Sequence, residues 1–295
     1  MPNTPKSTSL SRLFFSLFRC EAALLVFLLI GKLSLLAQPT ALPKAFAHND
    51  YRHKHPFYDA FQQGFTYLES DIYLRQGRLL VSHSLPFFKG KRTLERLYLQ
   101  PLQAYFDGRQ NTTPTAMDTL VLMIDVKSGG ERTFAALKAV LEKYAPLLSS
   151  WENGTMIKRQ LTIVLSGHRP LSVLRNAQTR FFFVDENLPQ VNEDEGFNSM
   201  YAMASCKYSK VLKWKGKGCM PEKERKGLCA LVSKAHLFGK KVRLWASPEN
   251  EAVWKELLNC GVDLINTDRL EAFRRFSAQP TIPVLTLEEE QLWIP

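Results

Sequence analysis

Two carboxylates stand two residues apart in Leu68-Glu69-Ser70-Asp71-Ile72, a spacing that in an extended strand aims both at the same side of a sheet. Held together without compensation they would repel each other and lose hydration. A hard divalent cation with oxygen ligands removes both difficulties. The same alternation in Ile124-Asp125-Val126-Lys127 puts Asp125 and Lys127 on one face and their apolar neighbours on the other. A third carboxylate and an ammonium thereby join the first two. Either pair alone also reads as an internal salt bridge, but three acids from two strands point to a metal site.

Two histidines stand where strands should end. His48 closes a run that starts at Lys44, and His83 follows Leu79-Leu80-Val81-Ser82 after the turn at Gln76-Gly77, which folds that run back as a hairpin. An imidazole titrates near neutrality and suits proton transfer, worth about 10² to 10⁴ in rate. Two of them beside an acidic cluster favour a hydrolase or lyase over a binding module. His168, in Ser166-Gly167-His168-Arg169, is a further candidate for touching substrate. His53 and His55 read as exposed loop residues, and His236 as a structural residue within a helix.

The elements that must position these groups are short apolar runs, each ending in polar residues and mostly followed by a helical stretch. Strands are expected near 44–48, 65–72, 120–127, 161–166, 180–184, 200–205, 241–246 and 262–267, with helices at 56–63, 131–144, 170–177, 221–238 and 249–259. Alternation with about eight strands predicts an α/β fold of the (β/α)8 TIM-barrel type, a single domain over 38–295. An open doubly wound sheet would want a glycine-rich turn after the first strand, where this chain has Ala47-His48-Asn49-Asp50. Residues 85–119 break the pattern and read as an insertion over the active-site rim with a short helix near 94–97.

The order His48-Asn49, Glu69-x-Asp71, a Gly77 turn, His83 and Asp125-x-Lys127 resembles the phospholipase C-like phosphodiesterase superfamily, in particular its glycerophosphodiester phosphodiesterase and sphingomyelinase D branches. Pro56 to Gly64 is similar to that family's first helix, and Gly261-Val262-Asp263 through Asn266-Thr267-Asp268-Arg269 to its last strand and turn. The resemblance implies a barrel that holds one Mg²⁺ or Ca²⁺ through Glu69, Asp71 and Asp125. It implies His48 as general base and His83 as general acid, acting on a glycerophosphodiester or phospholipid headgroup, in many members through a cyclic phosphate. Lys127 would then hold a phosphoryl oxygen, and Trp245 would wall the headgroup. Asn49 stands where glycerophosphodiesterases carry a phosphate-binding arginine, and Asp125 where they carry glutamate, which leaves the substrate open.

The 295 residues carry a formal charge of +11, which favours anionic partners such as phosphate esters or an anionic membrane surface. Lys6, Arg12 and Arg19 precede the apolar run Ala22 to Ile30, the pattern of a secretory signal. Residues 1–37 are therefore expected to be a signal peptide or membrane anchor, and the protein to be exported: periplasmic, extracellular or membrane-associated. Without that segment the charge remains about +8. Cys206, Cys219, Cys229 and Cys260 then remain, read equally as two disulfides or as free or partly paired thiols. From another functional class, a non-catalytic barrel that binds anionic lipid or surface phosphate also fits the charge. Nucleic acid is not expected as a partner, because no arginine-aromatic stripe or recognition motif is present.

Overall fold

The computed structural model describes residues 40–279, except 86–89, 109–115, 176, 178, 192–199 and the side chains of 201 and 202. Eight parallel strands form the barrel: β1 (Leu42–Ala47), β2 (Phe65–Arg75), β4 (Leu120–Val126), β7 (Leu161–Gly167), β9 (Phe182–Asn187), β10 (Tyr201–Lys207), β11 (Lys241–Trp245) and β12 (Leu264–Thr267). They pair in that order, and β1 bonds both β12 and β2, which closes the ring. The expected (β/α)8 barrel is the observed fold.

The pleat divides the side chains as the alternation requires. Phe46, Met123, Val164, Phe183, Met203 and Leu264, one from each of six strands, make a small cluster of their own. Met123 lies two residues before Asp125 and so shares its inward face. This cluster fills the barrel beneath the acidic residues. Leu68, Ile72, Leu122 and Ile124 point the other way, into the large core under the helices. Outer helices include Gly130–Glu142, Glu222–Leu237, Glu251–Asn259 and Leu270–Ser277. Asn250 caps the third of these, its side-chain oxygen accepting the Val253 N–H at 3.1 Å.

The run after Gly77 forms β3 (Arg78–Val81), antiparallel to β2, as the hairpin reading requires. The insertion is more helical than its sequence indicates: beyond Glu95–Leu99 it continues as Gln100–Asp107, which buries Leu102 and Phe106. A small sheet of β5 (Ser150–Glu152), β6 (Thr155–Ile157) and β8 (Thr179–Arg180) also stands outside the barrel, and its two- and three-residue strands are too short to leave a periodic signal. Of the cysteines, Cys229 and Cys260 form a disulfide while Cys206 and Cys219 are free, which is the partly paired alternative and not two bridges. No helix among the described residues is long and apolar enough to cross a membrane. The expected signal segment 1–37 lies outside the described residues.

Candidate active site

Parallel register sets Asp71 directly opposite Asp125, and Glu69 opposite Met123, on neighbouring strands. One oxygen from each of Glu69, Asp71 and Asp125 lies within 4.8 Å of the others. Glu69 and Asp71 are buried and Asp125 is half-buried. Such crowding is unfavourable for three bare carboxylates, and it shows in Glu69. Burial pushes its pKa above the usual carboxylate range, although Arg243 and His48 pull the other way.

Lys127 offsets part of this charge. Its Nζ lies 2.7 Å from Asp125 Oδ2 and 3.4 Å from Asp71 Oδ2. Burial lowers the ammonium pKa, but the bond to Asp125 and the nearby charges raise it further, so it stays protonated. Asp125 Oδ1 is buried with no hydrogen-bond partner. Gly167 sits against that oxygen, where a Cβ would collide with it, and its φ of +71° also suits glycine. Three carboxylates that each bring an oxygen to one point fit a hard divalent cation.

Each histidine is tied to a carboxylate. His48 Nδ1 lies 2.7 Å from Asp268 Oδ1, while Nε2 lies 3.5 Å from Glu69 Oε2. Burial lowers the His48 pKa, but the Asp268 hydrogen bond and the charges of Glu69 and Asp268 outweigh it, and the net shift is upward. Asp268 moves the opposite way: burial raises its pKa, and the bond to His48 more than offsets this. His83 follows β3 and places Nδ1 2.8 Å from Asp71 Oδ2, with its side chain half exposed. Tyr51 knits this corner together, its hydroxyl lying 2.8 Å from Asp71 Oδ2, 2.6 Å from Asn49 Oδ1 and 3.3 Å from His83 Nδ1. Asn49 takes a left-handed backbone at φ 49°, and its N–H donates to Glu69 Oε2 at 3.3 Å.

These groups open into a cavity of about 380 Å³ at the carboxyl ends of the strands. His48, Asn49, Glu69, Asp71, His83, Asp125, Lys127 and Trp245 all line it. His168 does not. Its Nδ1 instead faces the Val126 carbonyl at 3.2 Å, although Gly167 and Arg169 on either side of it line the cavity. His55 pairs with Asp59 and His236 with Asp263, both outside the cavity.

The far wall holds residues the sequence reading did not single out. Arg243, almost wholly buried, donates to Asn266 Oδ1 at 3.1 Å, lies 3.6 Å from Asp185 Oδ2 and covers the Phe46 ring at 4.2 Å. Asp185 also accepts the Ser205 hydroxyl. Burial raises its pKa against the pull of Arg243. Asp185 and Glu186 were hidden because that strand was expected to end at Val184, whereas it runs to Asn187. The period-two alternation of Asp185 with Phe183 was the available signal.

A family model described as the AIM6-like phosphodiesterase domain matches residues 38–185, and one described as the glycerophosphoryl diester phosphodiesterase family matches residues 241–271. Together they bracket the barrel strands that carry both histidines, the acids and Trp245. Among curated relatives, altered inheritance of mitochondria protein 6 of Eremothecium gossypii is 25% identical over 80% of this chain and 69% of its own length. The homologue of that protein in Arthroderma benhamiae is 26% identical over 78% of this chain and 82% of its own length. A solved calcium-dependent phosphoinositol-specific phospholipase C from Pseudomonas sp. is 13% identical, with a TM-score of 0.49, covering 80% of this chain and 90% of that one.

Proposed function

The chain belongs to the AIM6-like phosphodiesterase family, and from that membership we propose that it is a divalent-cation-dependent phosphoric diester hydrolase acting on a glycerophosphodiester or phospholipid headgroup. The observation that carries the reading is the convergence of Glu69, Asp71 and Asp125 within 4.8 Å, between two histidines that each have a carboxylate partner.

Glu69, Asp71 and Asp125 would hold one Mg²⁺ or Ca²⁺, which when bound would neutralise charge on a phosphoryl oxygen. Lys127 adds a fixed positive charge on the same side. Asp268 engages His48 at Nδ1, which leaves Nε2 directed into the cavity to take a proton from the attacking hydroxyl. The new oxygen–phosphorus bond forms as the bond to the leaving alcohol breaks. His83, held at Nδ1 by Asp71, delivers a proton from its exposed Nε2 to that departing oxygen. If the attacking hydroxyl belongs to the substrate, the product is a cyclic phosphodiester. If it is water, a phosphomonoester and an alcohol result. Trp245 and Asn49 contribute an apolar wall and a polar contact to the headgroup.

The reading includes export. Its supports are the basic and apolar sequence of residues 1–37 and the Cys229–Cys260 disulfide, since such bonds persist in oxidising compartments. Fractionation with N-terminal sequencing should find a chain that begins near Gln38 outside the cytoplasm.

The activity is tested on glycerophosphodiesters and dispersed phospholipids. Hydrolysis should stop in EDTA and return with Mg²⁺ or Ca²⁺, and His48→Ala and His83→Ala should each lower kcat by about 10² to 10⁴. Undiminished turnover in either variant would reject the mechanism.

A further inference from the structure

Five lysines, Lys207, Lys210, Lys213, Lys215 and Lys217, fall within the eleven residues that leave the carboxyl end of β10, and no acidic residue follows until Glu222. All five are exposed, and none forms an ion pair with another described residue. Lys207 and Lys210 line the same cavity as the three carboxylates, which fixes this loop on the catalytic face. Asn250, which follows β11 on that face, donates to the Lys215 carbonyl at 3.2 Å.

The loop is built, not slack. Tyr208 donates its hydroxyl to the Trp214 carbonyl at 2.6 Å, and Trp214 Nε1 donates to the Lys217 carbonyl at 3.0 Å. The backbone N–H groups of Lys213 and Trp214 both donate to Glu224 Oε2, at 2.8 and 3.0 Å. That oxygen of Glu224 is thus spent on the backbone, and the five lysine side chains are exposed. Ordered like charges at this density repel one another, and an anionic partner would relieve that repulsion.

Large apolar side chains are exposed at Trp245 in the cavity lining and at two segments that follow site-bearing strands. Trp245 ends β11 with Lys207 over its ring at 5.8 Å, Val173 lies in the turn of helix after β7, and Leu85 lies two residues past His83. A run of exposed lysines, one of them over an amphipathic tryptophan, together with exposed aliphatic side chains, matches the two layers of a lipid surface, anionic headgroups over an apolar edge. It lacks the stacked aromatic track along a charged groove that single-stranded nucleic acid uses.

We propose that the loop from Lys207 to Lys217 docks the catalytic face onto an anionic phospholipid bilayer, so that the cavity opens toward the membrane. The inference rests on the phosphodiesterase reading for the benefit of that orientation, but docking itself needs no turnover.

The test is co-sedimentation of the exported form, beginning near Gln38 and carrying His83→Ala, with vesicles of phosphatidylcholine, pure or doped with phosphatidylserine. Binding should require phosphatidylserine and fall with added salt. Each lysine near an anionic surface is worth about fivefold in partitioning, so Lys213→Ser, Lys215→Ser and Lys217→Ser together should weaken it roughly a hundredfold. The same triple change with His83 intact should leave hydrolysis of a soluble glycerophosphodiester unchanged, which also checks folding. A control triple of Lys138→Gln, Lys234→Gln and Lys255→Gln removes equal charge from outer helices and should bind as the parent does. An equal loss in both triples, binding to pure phosphatidylcholine, or tighter lysine-dependent retention of single-stranded RNA than of vesicles would each overturn the proposal. Vesicle binding without hydrolysis of any diester would sink the enzyme reading and leave this one standing.

Discussion

Asp268 Oδ1 lies 2.7 Å from His48 Nδ1 although 220 residues separate them in the chain. Closure of the barrel through the pairing of β12 with β1 brings them together, with Ala47 in register with Thr267. Asp268 therefore fixes which imidazole nitrogen faces the cavity, and its charge raises the His48 pKa. If His48 is the base, the enzyme is active when that ring is neutral, so its pKa sets the acidic limb of the pH–rate profile. Asp268→Asn should shift that limb to lower pH and lower kcat by at least about tenfold. Initial rates across pH are the measurement; a limb that stays in place would remove Asp268 from this role.

Glu69 gives a prediction with opposite signs in two conditions. Its pKa is raised in the folded protein by burial. The charged carboxylate therefore costs stability at neutral pH, and Glu69→Gln should melt no lower than the parent in EDTA. With excess Ca²⁺ or Mg²⁺ the order should reverse, because the parent gains RT ln(1 + [L]/Kd) from a bound ion while the variant has lost a ligand. Thermal melts with and without the cation decide it. A parent whose Tm ignores both ions would count against the metal site.

The barrel and the acidic triad were legible for one reason: alternation within a strand is a local signal. Glu69, Asp71, Asp125 and Lys127 face inward as period two requires, and register, which the sequence does not state, then sets Asp71 beside Asp125. What was illegible is long-range. Tyr51 reads as a loop residue until the loop folds its hydroxyl onto Asp71, and Arg243 reads as an ordinary strand cation until Asp185 and Asn266 meet it across strands. His168 misled for the converse reason. It follows a strand end as His48 does, but its ring packs on the Val126 carbonyl and does not line the cavity.

Asp50 predicts a pH dependence of stability. Its carboxyl is fully buried, with Oδ2 accepting the Phe57 N–H at 2.6 Å and the Tyr98 hydroxyl at 2.9 Å, while Oδ1 has no partner among the described residues. Burial pushes its pKa up to about 6 from 3.8, against the pull of both hydrogen bonds. The native state then holds this proton more tightly than the unfolded chain. Its contribution is complete below the unfolded value and is lost as pH rises through about 6, a change of about 3 kcal/mol. Urea unfolding should show the parent losing stability over that window relative to Asp50→Asn, whose neutral amide does not titrate. Parallel curves for the two proteins would refute the assignment.

The Cys229–Cys260 bridge separates stability from activity. It joins the helix Glu222–Leu237 to the end of Glu251–Asn259, closes a separation of 31 residues and lies outside the cavity lining. Constraining an unfolded loop of that length is worth about 3 to 4 kcal/mol in the chain-entropy account. Replacing both cysteines with alanine should lower the urea-unfolding free energy by about that amount and leave kcat unchanged at temperatures where the variant stays folded. Dithiothreitol should do the same to the parent and nothing further to the variant. A fall in kcat without unfolding would mean that these helices, and not the strands alone, hold the catalytic groups in place.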